Sequence, residues 1–379
     1  MKGNQHREPV SVSDRTHCSG CSACAAVCPE DAVTMKPDRM GFRYPSVDAS
    51  RCIGCGKCVD VCAFHQPETP PEPPVWSLVR YEAEAGRSQS GGAAFEAMRR
   101  TVSGGGVVYG VSLNADLQAV HGRAETLEDL EAFRGSKYIP STLEGTFRQV
   151  RTDLSAGREV LFTGTPCQCA GLASFVGPAL RNRLTLLDVI CHGVAAPAVW
   201  TAFAEEQCRK AGGIPTSVRF RDPRFGWHSS KSTFSFDGKT CSSEAFLRLY
   251  LNGPILRPSC TACPFAGRVR PSDVTVGDAW GIEKTDHPLN DGGPVSLCIV
   301  STEKGRRILP GLEPLDDPSP FFQASLREPC RPHPDAAAFE RDFFRKGFAW
   351  ASRKYGRKPA GRRLLDFYVK CKRFLLCRK

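Results

Sequence analysis

The chain has 379 residues, 41% of them hydrophobic and 24% charged, which excludes a disordered or collagen-like polymer and supplies enough apolar material for one large or two ordinary domains. The net charge of +11 sits wholly in residues 340–379, which hold 14 basic and 3 acidic side chains, so the body is neutral and no nucleic-acid surface is expected of it. No apolar run approaches the roughly 18 residues of a membrane span, and residues 1–10 are too polar for the core of a secretory signal, so a cytoplasmic protein is expected.

Nineteen cysteines without a secretory signal argue for metal ligation over a disulfide framework. The first segment carries one spacing twice, Cys18-x-x-Cys21-x-x-Cys24-x-x-x-Cys28-Pro29 and Cys52-x-x-Cys55-x-x-Cys58-x-x-x-Cys62. A cubane 4Fe-4S cluster takes three thiolates from a tight loop and a fourth from a distance. In the bacterial two-cluster pattern the fourth cysteine of each run serves the other cluster. The expected sets are therefore Cys18, Cys21, Cys24 and Cys62, and Cys52, Cys55, Cys58 and Cys28, with Gly20, Gly54 and Gly56 allowing the loops to turn. Paired Cys-x-x-Cys motifs also build zinc ribbons, but zinc needs neither the third nor the fourth cysteine of each run. Ala63 stands where a proline is expected after the second run, which removes turn rigidity and no ligand. Two clusters with no open iron position form an electron wire, so any chemistry lies beyond residue 76.

The spacing predicts a ferredoxin-type module over residues 1–64. A spacer over 65–76 follows, containing Pro67, Pro70, Pro71, Pro73 and Pro74, which fit neither helix nor central strand. Strands are then predicted over 107–111, 160–162, 184–190, 218–220, 274–276 and 297–300. Helices are predicted over 93–100, 127–133, 143–155 with Gly145 as a break, and 198–211. Strands alternating with helices imply an α/β domain with a mixed sheet over 77–338. The expected fold class is thus an α+β ferredoxin-like two-cluster module followed by a larger α/β domain. Residues 339–379 read as a basic helical tail, with Leu364, Tyr368, Cys371 and Leu375 on one face of an amphipathic helix. Docking of that face on the protein itself or on a partner is favoured over a membrane surface.

Along the larger domain come Ser88-Gln-Ser-Gly-Gly92, Ser136-Lys-Tyr138, Gly164-Thr-Pro-Cys-Gln-Cys-Ala-Gly171 and Asp188-Val-Ile-Cys-His-Gly193. Phe220-Arg-Asp222 with Gly226-Trp227, Arg257-Pro-Ser-Cys-Thr-Ala-Cys263 and Ser272-Asp-Val-Thr-Val-Gly-Asp-Ala-Trp-Gly281 follow. Together these motifs closely resemble the coenzyme F420 hydrogenase/dehydrogenase beta-subunit family, which takes in relatives such as 7-hydroxymethyl chlorophyll a reductase, over roughly residues 14–305. The resemblance implies an FAD-containing iron-sulfur oxidoreductase that passes electrons between clusters and flavin, then to or from coenzyme F420 or another small organic acceptor. A reduced ferredoxin or another redox protein is the expected macromolecular partner.

Individual residues can be read beside that resemblance. Cys167, Cys191, Cys260 and Cys263 lie in Gly- or Pro-flanked settings at the ends of strand-like runs, where they either ligate a third 4Fe-4S cluster or, for Cys167 and Cys191, serve as small buried hydrophobes. Cys167 is chosen over Cys169 because it matches the family motif. Cys169, Cys208, Cys241, Cys298, Cys330, Cys371 and Cys377 read as ordinary core or surface thiols. Ser88, Ser90, Gly91 and Gly92 open a predicted helix, as a flavin pyrophosphate site requires, and as an ordinary capped helix also would. Lys137, flanked by Ser136 and Tyr138, is either the cation for the flavin N1 and C2 edge or a surface lysine. Thr165 and Gln168 either bond the isoalloxazine or satisfy their own turn. His192 is a candidate proton donor for hydride transfer or a structural histidine. Arg221 and Trp227 form a clamp and platform for a flat anionic molecule, unless Arg221 merely pairs with Asp222. A second function class stays open beside the enzyme: an electron-transfer subunit without its own substrate, linking a ferredoxin or hydrogenase to a partner enzyme.

Overall fold

The computed structural model describes residues 7–65 and 73–357. Pro67, Pro70 and Pro71 of the expected spacer and the expected amphipathic helix over 364–376 lie outside the described residues.

The first module consists of helix α1 (Ala23–Val27), strands β1 (Val33–Pro37) and β2 (Arg43–Val47), and helix α2 (Lys57–Asp60). The two strands pair as an antiparallel hairpin from Val33↔Val47 to Pro37↔Arg43. The tip of that hairpin is not solvated. Met40 and Phe42 are buried with Trp200 and Phe203 of the larger body, and the Met40 carbonyl accepts from the Ala198 amide at 3.0 Å.

The larger body opens with β3 (Val75–Val79), α3 (Glu82–Ala85), α4 (Ala93–Ser103), β4 (Val107–Leu113), β5 (Ala119–Ala124), α5 (Thr146–Ser155), β6 (Val160–Gly164), α6 (Pro166–Val176) and β7 (Leu184–Val189). It continues through α7 (Pro197–Ala211), β8 (Ser217–Arg219), β9 (Ser232–Phe236), β10 (Lys239–Ser243), α8 (Ala245–Asn252), β11 (Val274–Asp278), β12 (Ser296–Val300), α9 (Glu303–Ile308), β13 (Glu313–Pro314), α10 (Ala336–Lys346) and α11 (Phe348–Tyr355). Its main sheet has the order β13-β3-β12-β11-β7-β6-β4-β5. β11, β7, β6 and β4 run parallel, and β5 and β12 pair antiparallel at either side. This is the mixed α/β sheet the alternation implied.

The physical reason lies in the strand sequences. Residues 184–189 and 296–300 are mostly apolar, with Thr185, Asp188 and Ser296 the exceptions, as strands covered on both faces tend to be. Alternate residues go to opposite sides. Leu161, Leu187 and Val276 pack against Phe95, Met98 and Val102 of α4, whereas Val160, Phe162 and Leu186 pack against Phe147, Val150 and Leu172 of α5 and α6.

Four local expectations change. The helix predicted over 143–155 begins only at Thr146, because Gly145 has φ +75° and caps it. The segment 127–133 is a short 3-10 turn over Asp129–Phe133. Residues 166–176, for which no element was predicted, form α6, started by Pro166 behind a Thr165–Gln168 capping box. Finally, residues 339–357 are not a tail. Phe339, Phe343, Phe348, Ala351 and Tyr355 are buried in the same core as Trp200, Phe203 and Phe246, because α10 and α11 each turn an apolar face toward α7 and α8 while their many cations stay outside. Among the described residues no helix is long and apolar enough to cross a membrane.

Candidate metal centres and the carboxyl edge of the sheet

The repeated cysteine runs fold into two loops of the same backbone shape. Gly20 and Ser22 have φ +73° and +67°, and their counterparts Gly54 and Gly56 have +65° and +74°, so each loop wraps its first three cysteines around one centre. A one-turn helix follows each loop. α1 begins beside Cys24 and delivers Cys28 at its end, while α2 holds Cys58 and delivers Cys62. Four residues of helix advance about 6 Å, which carries the fourth cysteine to the neighbouring centre.

Cys28, Cys52, Cys55 and Cys58 accordingly line one small cavity of about 20 Å³, and Cys18, Cys21, Cys24 and Cys62 line another of about 260 Å³. Backbone amides point at the sulfurs of the first, from Val10 to Cys58 Sγ and from Ala32 to Cys28 Sγ, both at 3.3 Å. Burial pushes the Cys21 thiol up to about 12, with Cys167, Cys62 and Cys18 adding to the rise. Such thiols become thiolates only against a cationic centre. Each cavity is lined by four thiols, a donor set that suits a cubane cluster.

A third cysteine-lined cavity, of about 320 Å³, is bounded by Cys167, Cys191, Cys260 and Cys263, with His192 and Cys330 on its wall. Cys167 is the second residue of α6, and Cys191 follows the carboxyl end of β7. Cys260 and Cys263 come from the 3-10 turn Pro258–Ala262 and the residue after it. Buried Arg270 fastens two of these loops, donating to the Phe265 carbonyl at 2.7 Å and the Val189 carbonyl at 3.0 Å beside Asp188 at 3.4 Å. Burial raises the Cys191 thiol to about 12, with Cys167 and Cys263 contributing. Cys169 points away, fully buried, with Sγ 3.7 Å from the Leu187 carbonyl. Cys330 reads from sequence as an ordinary core or surface thiol, since a lone cysteine between Pro329 and Arg331 carries no spacing signal, and the structure places it on this wall.

The second and third cavities adjoin. Ser19 and Phe64 line both, and Cys21 lies so close to α6 that a Cβ on Gly171 would stand 2.8 Å from its sulfur.

The residues read as flavin contacts separate into two groups. Ser88, Ser90, Gly91, Gly92, Arg221 and Trp227 gather where β3, β11 and β12 meet: Ser90 Oγ donates to the Val295 carbonyl at 3.0 Å and Gln89 Nε2 to the Trp227 carbonyl at 3.3 Å. Arg221 does not pair with Asp222. It donates to Asp278 Oδ2 at 2.6 Å, Asp278 Oδ1 accepts from Trp227 Nε1 at 2.8 Å, and Asp222 pairs with Arg224. Trp227 stacks on Trp280 at 4.9 Å, with His228 tilted over Trp280 at 4.9 Å, which gives an aromatic face beside a held cation.

The α4 N-terminus, in contrast, does not fit a pyrophosphate. A Cβ on Gly91 would stand 2.4 Å from the Val79 carbonyl oxygen, Gly91 and Gly92 are buried, and the Ala93 amide faces Ser296 Oγ at 3.5 Å. These glycines serve close packing. The buried acceptor nearby without a partner is Gln89 Oε1.

Thr165 and Gln168 form the second group, near the third cysteine cavity. Gln168 Oε1 accepts from the Thr165 amide at 3.0 Å and Gln168 Nε2 donates to Ser141 Oγ at 2.9 Å, so this pair satisfies its own turn. Lys137, next to Ser136, donates to the carbonyls of Ala132 and Arg134 at 3.2 and 3.1 Å, and burial lowers its amine to about 7. Tyr138 lies 3.5 Å from Arg221 through its hydroxyl. His192 packs on Tyr250 at 5.4 Å with a buried, unpartnered Nε2, and burial lowers its pKa.

Residues 157–314 match the family model for the C terminus of the beta subunit of coenzyme F420 hydrogenase/dehydrogenase, and residues 17–65 match the 4Fe-4S dicluster domain. A chain of the F420-reducing [NiFe] hydrogenase complex from Methanosarcina barkeri is similar at 16% identity and a TM-score of 0.43, covering 63% of this chain and 78% of that one. No curated protein matches.

Proposed function

We propose that this iron-sulfur member of the coenzyme F420 hydrogenase/dehydrogenase beta-subunit family is an oxidoreductase that exchanges electrons between a redox protein and a deazaflavin such as coenzyme F420, or another small organic acceptor. The observation that carries the reading is the set of three cysteine-lined cavities, two of them adjoining and one lying at the carboxyl edge of the sheet, where α/β proteins bind their ligands.

Cys18, Cys21, Cys24 and Cys62 would hold one 4Fe-4S cluster in ferredoxin-type crossing with Cys28, Cys52, Cys55 and Cys58, and Cys167, Cys191, Cys260 and Cys263 would hold a third. Bound clusters supply single-electron transfer, and FAD interconverts that with hydride transfer. The protein's own residues do the rest. Arg270 ties the Cys191 and Cys263 loops together through the Val189 and Phe265 carbonyls. Arg221, fixed by Asp278 and Tyr138, presents a cation beside the Trp227–Trp280 face, a pairing that suits a flat, anionic ring system. The unpartnered Gln89 Oε1 supports FAD contact at Ser88, Gln89 and Ser90 in place of the filled α4 N-terminus. A cytoplasmic setting belongs to this proposal, because many buried free thiols call for a reducing compartment.

The adaptor reading also has an observation in its favour. Ile53, 52% exposed, lines the Cys28-side cavity, and Val59, 39% exposed, follows its Cys58 in the chain, and exposed apolar side chains there suit a docked redox protein. Anaerobic purification followed by iron, sulfide and flavin analysis separates the two. About twelve irons with one FAD is the expected result, and about eight irons without flavin would move the chain to the adaptor class.

A further inference from the structure

Arg257 is among the largest fully enclosed side chains of the protein, at 2% exposure. Its Nε donates to the Cys18 carbonyl at 2.9 Å, and its Nη2 donates to the Arg43 carbonyl at 2.9 Å and lies 3.9 Å from Cys18 Sγ. The guanidinium rests on Tyr44 at 4.3 Å. The same residue lines the cavity of Cys167, Cys191, Cys260 and Cys263 and precedes the turn that carries two of them.

What distinguishes Arg257 is its missing counter-charge. Among the described residues no carboxylate lies within ion-pair distance of it, whereas Arg270, equally buried, has Asp188. A guanidinium out of water without an anion is unfavourable by several kcal/mol, so an anion belongs beside it. The groups it faces are the Cys18 sulfur and the third cysteine cavity. Gly20 leaves the required room, since a Cβ there would stand 3.1 Å from both Nη atoms.

Resting on the three-cluster reading above, we propose that Arg257 is the shared counter-charge of the Cys18-side and Cys167-side clusters and holds their reduction potentials above that of the outer, Cys28-side cluster. A fixed cation favours the reduced, more negative state of whatever it touches. Electrons entering at the outer centre are thereby drawn inward.

The test is a potentiometric titration of the anaerobically prepared full chain, followed by electron paramagnetic resonance, with iron and sulfide counted first. Arg257→Gln is expected to lower the potentials of two clusters by about tenfold in electron affinity, about 59 mV for one electron, and to leave one unmoved. Arg257→Lys keeps the charge while losing the fork of hydrogen bonds, and is expected to stay near the parent. Unmoved potentials in a fully loaded Arg257→Gln chain overturn the proposal, as do equal shifts in the Gln and Lys variants, which would mark a structural role. If Arg257→Gln takes up no clusters, Tyr44→Glu decides, because it adds the missing carboxylate without removing the arginine. It should lower the same two potentials, and no change overturns the proposal. A parent chain with about eight irons would instead overturn the three-cluster reading, and the Cys18-side shift would still be measurable.

Discussion

At the scale of single residues, burial decides which titratable groups matter. Asp278 accepts from both Arg221 and Trp227, so one carboxylate fixes the cation and the ring that together face the carboxyl edge. Lys137 is the opposite case, a partly buried amine held by two backbone carbonyls. Its folded value of about 7 lies below the ordinary 10.5. Below pH 7 the amine is charged in both states and the unfavourable burial is fully present. Between pH 7 and 10.5 the unfolded chain binds the extra proton, so this residue makes stability rise with pH. Lys137→Met is expected to be more stable than the parent at pH 6 by on the order of a few kcal/mol. That gap should close as pH rises toward 10, as read by urea denaturation at each pH. A gap that stays constant with pH would show that the two carbonyls keep the ammonium charged.

At the scale of elements, short helices act as spacers between centres. α1 and α2 each connect two cysteine cavities by one turn, and α6 brings Cys167 to the third while its inner face meets Cys21. Gly171 is the contact point, where a Cβ would stand 2.8 Å from the Cys21 sulfur. A sulfur holding the proposed cluster would not be free to swing away. Gly171→Ala should therefore cost the chain about one cluster's worth of iron, four atoms, with the Cys28-side cluster retained in the resonance spectrum. Full iron content would mean that α6 can shift outward.

At the scale of the whole molecule, the chain closes on itself at both ends of its described length. The β1–β2 hairpin inserts Met40 and Phe42 into a core completed by α10 and α11 some three hundred residues later. Phe339 and Ala351 are fully buried there, under Trp200, Phe203 and Phe246. A chain ending at residue 335 would uncover these rings. It should lose cooperative thermal unfolding and aggregate, seen by calorimetry and light scattering, because several large apolar side chains at about 1.5–3 kcal/mol each exceed the usual margin of stability. A soluble, cooperatively melting product would show that α10 and α11 are dispensable.

The spacing of Cys18 to Cys62 was enough to place four cysteines at each of two cavities, because a loop of three cysteines and a one-turn helix is a local construction that the sequence states in full. The largely apolar strands over 160–162, 184–190 and 297–300 were equally legible, since coverage on both faces leaves no regular polar alternation. What the sequence left open depended on partners far away in the chain. Arg221 found Asp278 and not its neighbour Asp222, Gly91 and Gly92 turned out to serve close packing, and Cys330 joined a cavity no spacing pointed to. Residues 339–357 looked like a basic tail until α7 and α8 supplied the apolar surface that buries them. Local pattern determines which groups a segment can offer, and only the tertiary structure decides which of them remain free once their neighbours are satisfied.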